Sequence, residues 1–189
     1  QTFELTLYLF GSAIKHYPWV IQAFANAGGR GVGFGRGKFK VKRALDVSSQ
    51  HALIEDDRIL GQPKIITANE LSLNSLQNKL TLYFETPVRI KFKGRLADRL
   101  EFSTIVRQLL RRIAQIGAFH CGTVLETDFR QWIRRSESIN CSDENVRWFD
   151  WVRYSSRQKN KMRLGGLVGK ITYEGNIEPF YPLLALGQF

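Results

Sequence analysis

The sequence predicts an α+β protein built from two ferredoxin-like βαββαβ halves, residues 1–72 and 73–189, each incomplete in this chain. Two observations carry this. From Lys79 to Phe189 the patterns run strand, helix, strand, strand, helix, which is most of one such unit. The first half supplies only a strand, a helix, a glycine-rich loop and a second strand, with long connections in place of regular βαβ repeats.

Taken in order, Thr2 to Phe10 alternates, with Phe3, Leu5, Leu7 and Leu9 on one face, and reads as a strand. Pro18 suits the first turn of a helix whose apolar stripe is Trp19, Val20, Ala23, Phe24 and Ala27, stopping at Gly28-Gly29. Residues 28–37 hold six glycines in ten positions and run into a second alternating strand, with Phe39 and Val41 opposite Lys38, Lys40 and Lys42. Ser48 to Asn78 reads as an irregular connection with a short strand at Ala52 to Ile54 and a turn at Asp56-Asp57. The second half opens with a strand from Lys79 to Glu85, bent at Pro87 and continued through Lys93, which sets Arg89, Lys91 and Lys93 opposite Val88, Ile90 and Phe92.

The clearest helix repeats Phe102, Ile105, Val106, Leu109, Leu110 and Ile113 at helical spacing. A smaller one starts at Asp128 and buries Phe129, Trp132 and Ile133. Trp151 to Gln158 and Leu167 to Tyr173 read as paired strands. Asn176 is expected to cap a last helix carrying Ile177, Phe180, Leu183, Leu184 and Leu186.

Composition points to the partner. With 28 basic against 17 acidic residues the net charge is +11, an excess that favours a polyanion through counterion release. No apolar run approaches the roughly 20 residues a spanning helix needs, so no membrane is expected. The N-terminus shows no charged leader with a cleavage site. Cys121 and Cys141 lack CxxC spacing, which argues against zinc or a disulfide framework and fits a reducing cytoplasm.

The segment from Trp148 to Gly175 carries the strongest chemistry. It sets Arg153, Arg157, Lys159, Lys161 and Arg163 among Trp148, Trp151, Tyr154 and Gln158. Cations hold phosphates, aromatic faces stack on unpaired bases, and hydroxyls and amides read base or sugar edges. The glycine stretch fails as a Walker A loop, because Val32 stands five before Gly37 and Phe39 follows Lys38. It also fits no GxGxxG register. What remains is backbone N–H groups able to approach a polyanion, with Arg30, Arg36 and Lys38 adding charge. No carboxylate pair stands out: Asp56-Asp57 lies in a turn, and Asp143-Glu144 reads as a helix start or a solvated loop. His16, His51 and His120 are the available acid–base side chains. His16 and His120 are the catalytic candidates, by elimination only. No metal site or cofactor is expected.

Five motifs occur in order: Leu109-Leu110-Arg111-Arg112-Ile113, Arg153-Tyr154-Ser155-Ser156-Arg157-Gln158, Gly165-Gly166-Leu167-Val168-Gly169, Tyr173-Glu174-Gly175 and Pro182-Leu183-Leu184. Together they resemble the C-terminal region of the CRISPR-associated endoribonucleases of the RAMP superfamily, which cut precursor CRISPR RNA within its repeats. The similarity covers Leu80 to Phe189 well and Phe3 to Val41 more loosely. It implies two ferredoxin-like, RRM-like halves gripping an RNA repeat, and metal-independent attack of a ribose 2′-OH on the adjacent phosphate. It also implies other CRISPR-associated proteins as partners. Family members usually continue past the last helix into a histidine- and lysine-bearing glycine loop, so the resemblance implies a fragment of a longer protein. Two alternatives remain: a non-catalytic RAMP-like RNA-binding scaffold subunit of an effector complex, and a basic protein–protein module.

Overall fold

The computed structural model describes residues 2–56, 58–71, 78–92, 94–155 and 159–189. These residues form two compact units. The first comprises residues 1–70, 114–125 and 189, and the second residues 71–113 and 126–188.

In the first unit a 3₁₀ helix, Gly11–His16, leads into α1, Tyr17–Arg30. Pro18 occupies the first turn as expected. The helix ends where the Gly31 N–H donates to the Ala27 carbonyl (2.9 Å). Three short strands follow, β1 (Arg43–Leu45), β2 (Ala52–Glu55) and β3 (Arg58–Ile59), paired antiparallel in that order. The short strand expected at Ala52 to Ile54 is β2, and its pairing with β1 and β3 builds a small sheet that the sequence did not suggest.

Two expectations fail here. Residues 2–10 form no strand, and Phe3, Leu5 and Leu7 stay exposed. Alternation makes a strand only where an edge is available to pair with, and the segment pairs with none among the described residues. The Phe3 ring instead meets Phe39 edge-on at 5.6 Å. The second strand begins at Arg43 rather than Phe39, whose N–H is held by the Gly28 carbonyl at the end of α1 (3.2 Å).

Asp46 ties the loops of this unit together. Its carboxylate accepts from the backbone N–H and hydroxyl of both Ser48 and Ser49, and from the Lys64 N–H at 2.8 Å. These bonds, the Ser48 hydroxyl first, hold the carboxyl well below the usual carboxylate range. A group depressed in this way stabilises the fold above its unfolded value near 3.9, and that stabilisation drains away as pH falls below it. Asp46→Asn turns an amide N–H₂ or a weaker acceptor toward these donors. It should cost about 2–3 kcal/mol at neutral pH and flatten the loss of stability between pH 5 and 2. Urea unfolding at several pH values reads both effects, and identical curves for the two proteins would contradict the assignment.

The second unit is organised around β10 (Gly166–Glu174), which pairs antiparallel with β4 (Lys79–Val88) on one side and β7 (Asn140–Phe149) on the other. Counted along this half, the spatial order is first, third, second strand, that of a ferredoxin-like sheet. Helix α2 (Phe102–Ile116) follows the first strand, and α4 (Tyr181–Leu186) follows the third after a 3₁₀ turn. Phe102 packs on Tyr173 and Phe180, with ring centroids 5.2 Å apart in both pairs. The Tyr173 hydroxyl donates to the Leu100 carbonyl. Burial accordingly raises the Tyr173 pKa strongly. Helix α3, Phe129–Ser136, starts after Asp128 as expected, and Asp128 caps it, accepting from Arg130 N–H at 2.9 Å and Gln131 N–H at 3.1 Å.

Four local readings change. β4 runs through Pro87 to Val88, and the ladder to β10 slips there, where a proline with no N–H costs least. Lys91–Phe92 (β5) then folds back on Arg95–Leu96 (β6) instead of extending β4, and Lys93 lies outside the described residues. Asp143 and Glu144 sit mid-strand in β7, an edge strand exposed along nearly its whole length. That double exposure is why no period-2 pattern marks it. Asn176 makes no cap; the turn at Glu178–Phe180 starts from Ile177 without a side-chain bond.

Candidate nucleic-acid interface

The Trp148–Gly175 segment forms a hairpin, but not with the pairing expected. β8 (Val152–Ser155) pairs with β9 (Asn160–Arg163), not with β10, and the Leu164 N–H donates to the Trp151 carbonyl (2.7 Å). The run Asn160-Lys161-Met162-Arg163 looks like loop in the sequence but is ladder. Tyr154 stands opposite Lys161, so an exposed ring and an exposed cation occupy neighbouring cross-strand positions. Lys159, exposed and at φ 48°, turns the chain into β9. Arg153 lies opposite Met162 and Arg163 opposite Val152 by register. Arg157 lies outside the described residues. Trp148, Phe149, Trp151 and Val152 lead into the hairpin, each roughly half exposed.

Beside it, on the sheet, Glu85 and Pro87 of β4, Asn145, Arg147 and Phe149 of β7, and Val168 of β10 line an open groove of about 370 Å³. Tyr83, 70% exposed, lies opposite Lys170, which lies opposite Asn145. Sequence reasoning missed these residues. Reading 140–149 as an edge strand would have placed Asn145, Arg147 and Phe149 on one face.

The other cationic surface belongs to the first unit. Val32 and Gly37 exchange two backbone hydrogen bonds of 2.9 Å, closing a four-residue tip, Gly33 to Arg36. Gly31 (φ 84°) is required at its base, where a Cβ would lie 2.3 Å from the Arg36 carbonyl oxygen. Arg36 on this tip, and Arg30 and Lys38 flanking the Val32–Gly37 pair, are all exposed.

His16 and His120, found by elimination, lie on elements that pack together. The 3₁₀ helix ending at His16 rests on a π-helical turn, Gly117–Cys121. The approach is so close that a Cβ on Gly11 would fall 1.9 Å from the His120 carbonyl oxygen. Both imidazoles are exposed, and among the described residues neither has a hydrogen-bond partner. No helix among the described residues is long and apolar enough to cross a membrane.

An α+β fold with a ferredoxin-like half and cation-and-ring hairpins defines a class of basic, RAMP-type proteins. The family profile described as CRISPR-associated endoribonuclease Cas6 matches residues 82–189, and a second, described as an N-terminal domain, matches residues 1–72. The chain belongs to the Cas6 family of CRISPR-associated endoribonucleases. Among solved structures, a Cas6 product complex (TTHB231) superposes with a TM-score of 0.55 at 18% identity, over 89% of this chain and 63% of that one. Thermus thermophilus Cas6 (TTHB231) gives 0.46 at 17% identity, over 65% of this chain and 50% of that one. A second Cas6 product complex (TTHA0078) gives 0.43 at 19%, over 65% and 47%. The chain thus spans about half to just under two thirds of these relatives. No curated protein is a significant sequence match.

Proposed function

We propose that this protein binds the repeats of precursor CRISPR RNA and cuts within them without a metal ion. The observation that carries the reading is the β8–β9 hairpin, which sets Lys159, Lys161 and Tyr154 on an exposed ribbon in a chain of an endoribonuclease family. Arg153, Arg157 and Arg163 extend the same segment. Its cations hold the repeat's phosphates and Tyr154 stacks on a base or orients it. Arg30, Arg36 and Lys38 hold a second stretch of backbone. Two ferredoxin-like halves, residues 1–72 and 73–189, share the grip.

In the reaction a base takes the proton of a ribose 2′-OH, and the oxygen attacks the adjacent phosphorus. The P–O5′ bond breaks, and an acid protonates the departing 5′-oxygen. The products are a 2′,3′-cyclic phosphate and a 5′-OH. His16 and His120, on packed elements, are the candidate acid and base, and nearby cations offset the charge developing on phosphorus.

A non-catalytic RNA-binding subunit is the second reading. It is favoured by the exposure of both imidazoles and the absence, among the described residues, of any group that orients them. Labelled repeat RNA incubated with the gene-encoded full-length protein in excess chelator separates the two. Cleavage to a cyclic phosphate, lowered at least about 100-fold by His16→Ala or His120→Ala, is the expected result. Tight binding without any cut selects the scaffold, and cutting untouched by either substitution removes both histidines from the chemistry.

A further inference from the structure

The tip of the glycine hairpin leaves Phe34 fully exposed among the described residues. Its relative exposure is 110%, and it stands between Gly33 and Gly35, at which an added Cβ would meet nothing within 4 Å. The turn does not call for it, since tight turns favour Gly, Asn or Asp. A bare ring held out by a hydrogen-bonded ribbon adds nothing to the core. The base of that ribbon is nevertheless fixed: Val32 and Gly37 are paired, and a Cβ on Gly28 would fall 2.3 Å from the Phe39 carbonyl oxygen. Arg36 at the tip, and Arg30 and Lys38 on either side of the ribbon's base, are exposed and positively charged. Alongside runs an open groove of about 430 Å³ between the last turns of α1 and the ribbon, lined by Ala23, Asn26, Ala27, Arg30, Gly31 and Val32.

We infer that Phe34 is a stacking wedge for one unpaired RNA base, with the flanking sugar-phosphate lying in the groove against Arg30. The inference rests on the RNA-binding reading and adds to it a residue that contributes by ring contact rather than charge. A basic setting favours a polyanion, and a flat ring within it offers a base its face whatever the base's identity. A protein partner would be expected to bury the ring within a wider apolar patch. Here the ring's immediate neighbours in the chain are glycines, with Arg36 and a single half-exposed apolar residue, Val32, next beyond them.

The test is equilibrium binding of the full-length protein to its repeat RNA over a range of salt, together with 2-aminopurine placed in turn at each unpaired position. Phe34→Ala should weaken binding by about 5- to 150-fold at every salt concentration and leave the salt slope unchanged. Lys38→Gln should instead lower the slope by about 0.7. Phe34→Trp should restore affinity and Phe34→Leu should not, because stacking needs the ring. One 2-aminopurine position, quenched in the wild-type complex, should brighten in Phe34→Ala. Unchanged affinity in Phe34→Ala, full rescue by Leu, or a changed melting temperature or oligomeric state of the RNA-free variant would overturn the inference, the last because the ring would then be packing on protein. Wild-type protein that binds no repeat RNA would remove the RNA-binding reading itself. Wild-type binding indifferent to Phe34 would remove this inference alone.

Discussion

Replacing Phe102 by alanine should lower the unfolding free energy of the second unit by about 3–5 kcal/mol. Phe102 is 1% exposed and its ring touches Tyr173 of β10 and Phe180 of the final 3₁₀ turn, the second pair edge-on at 88°. Phe180 in turn meets Trp132 of α3 at 5.4 Å. One ring thus joins the first helix of this half, the central strand and the chain before the last helix. Aromatic pairs add about 0.5–1.5 kcal/mol each beyond the area they bury. Val106, Leu110 and Ile171, all at most 2% exposed, are already close-packed and have little freedom to fill the space. Urea unfolding followed by tryptophan fluorescence reads the change. A loss below about 1 kcal/mol would mean that the site collapses or that the cluster is not the core.

The aromatic core was partly legible from sequence, because α2 repeats its apolar residues at helical spacing, Tyr173 ends a segment read as a strand, and Phe180 falls in an apolar run near the C-terminus. The start of α3 at Asp128 was legible for a similarly local reason, the amphipathic stretch that follows it; that its carboxylate accepts from two backbone N–H groups is added by the structure. What failed depended on partners distant in sequence. Thr2 to Phe10 alternates like a strand yet has no edge to pair with among the described residues. β7 pairs along its length yet shows no alternation, because water reaches both of its faces. The hairpin was recognised by its charges and rings, but its partner strand was misassigned. Asn160 to Arg163 shows no alternating apolar pattern in the sequence, so its register with β8 was not legible there. At the candidate interface, cations and rings were visible as composition, whereas Asn145, Arg147 and Phe149 became visible only once β7 was a strand. The packing of the His16 and His120 elements depends on Gly11 meeting a carbonyl more than 100 residues away, a relation no local pattern encodes.

The second large effect concerns the β8–β9 hairpin. Lys159→Gln with Lys161→Gln keeps both stems and removes two positive charges from an exposed ribbon. If each ammonium neutralises one phosphate, binding to repeat RNA should weaken roughly 100-fold at 50 mM salt, with a far smaller deficit near 1 M. The lost affinity is counterion release, which salt suppresses in any case. Folding should be unaffected, since neither side chain is buried or bonded within the described residues.

That salt titration tests most directly whether this ribbon grips RNA. Plotted as log K against log salt concentration, the double variant should show a slope shallower than wild type by about 1.4–1.8, with the two lines converging at high salt. Parallel lines, or coincident ones, would place the hairpin outside the RNA interface and contradict the account.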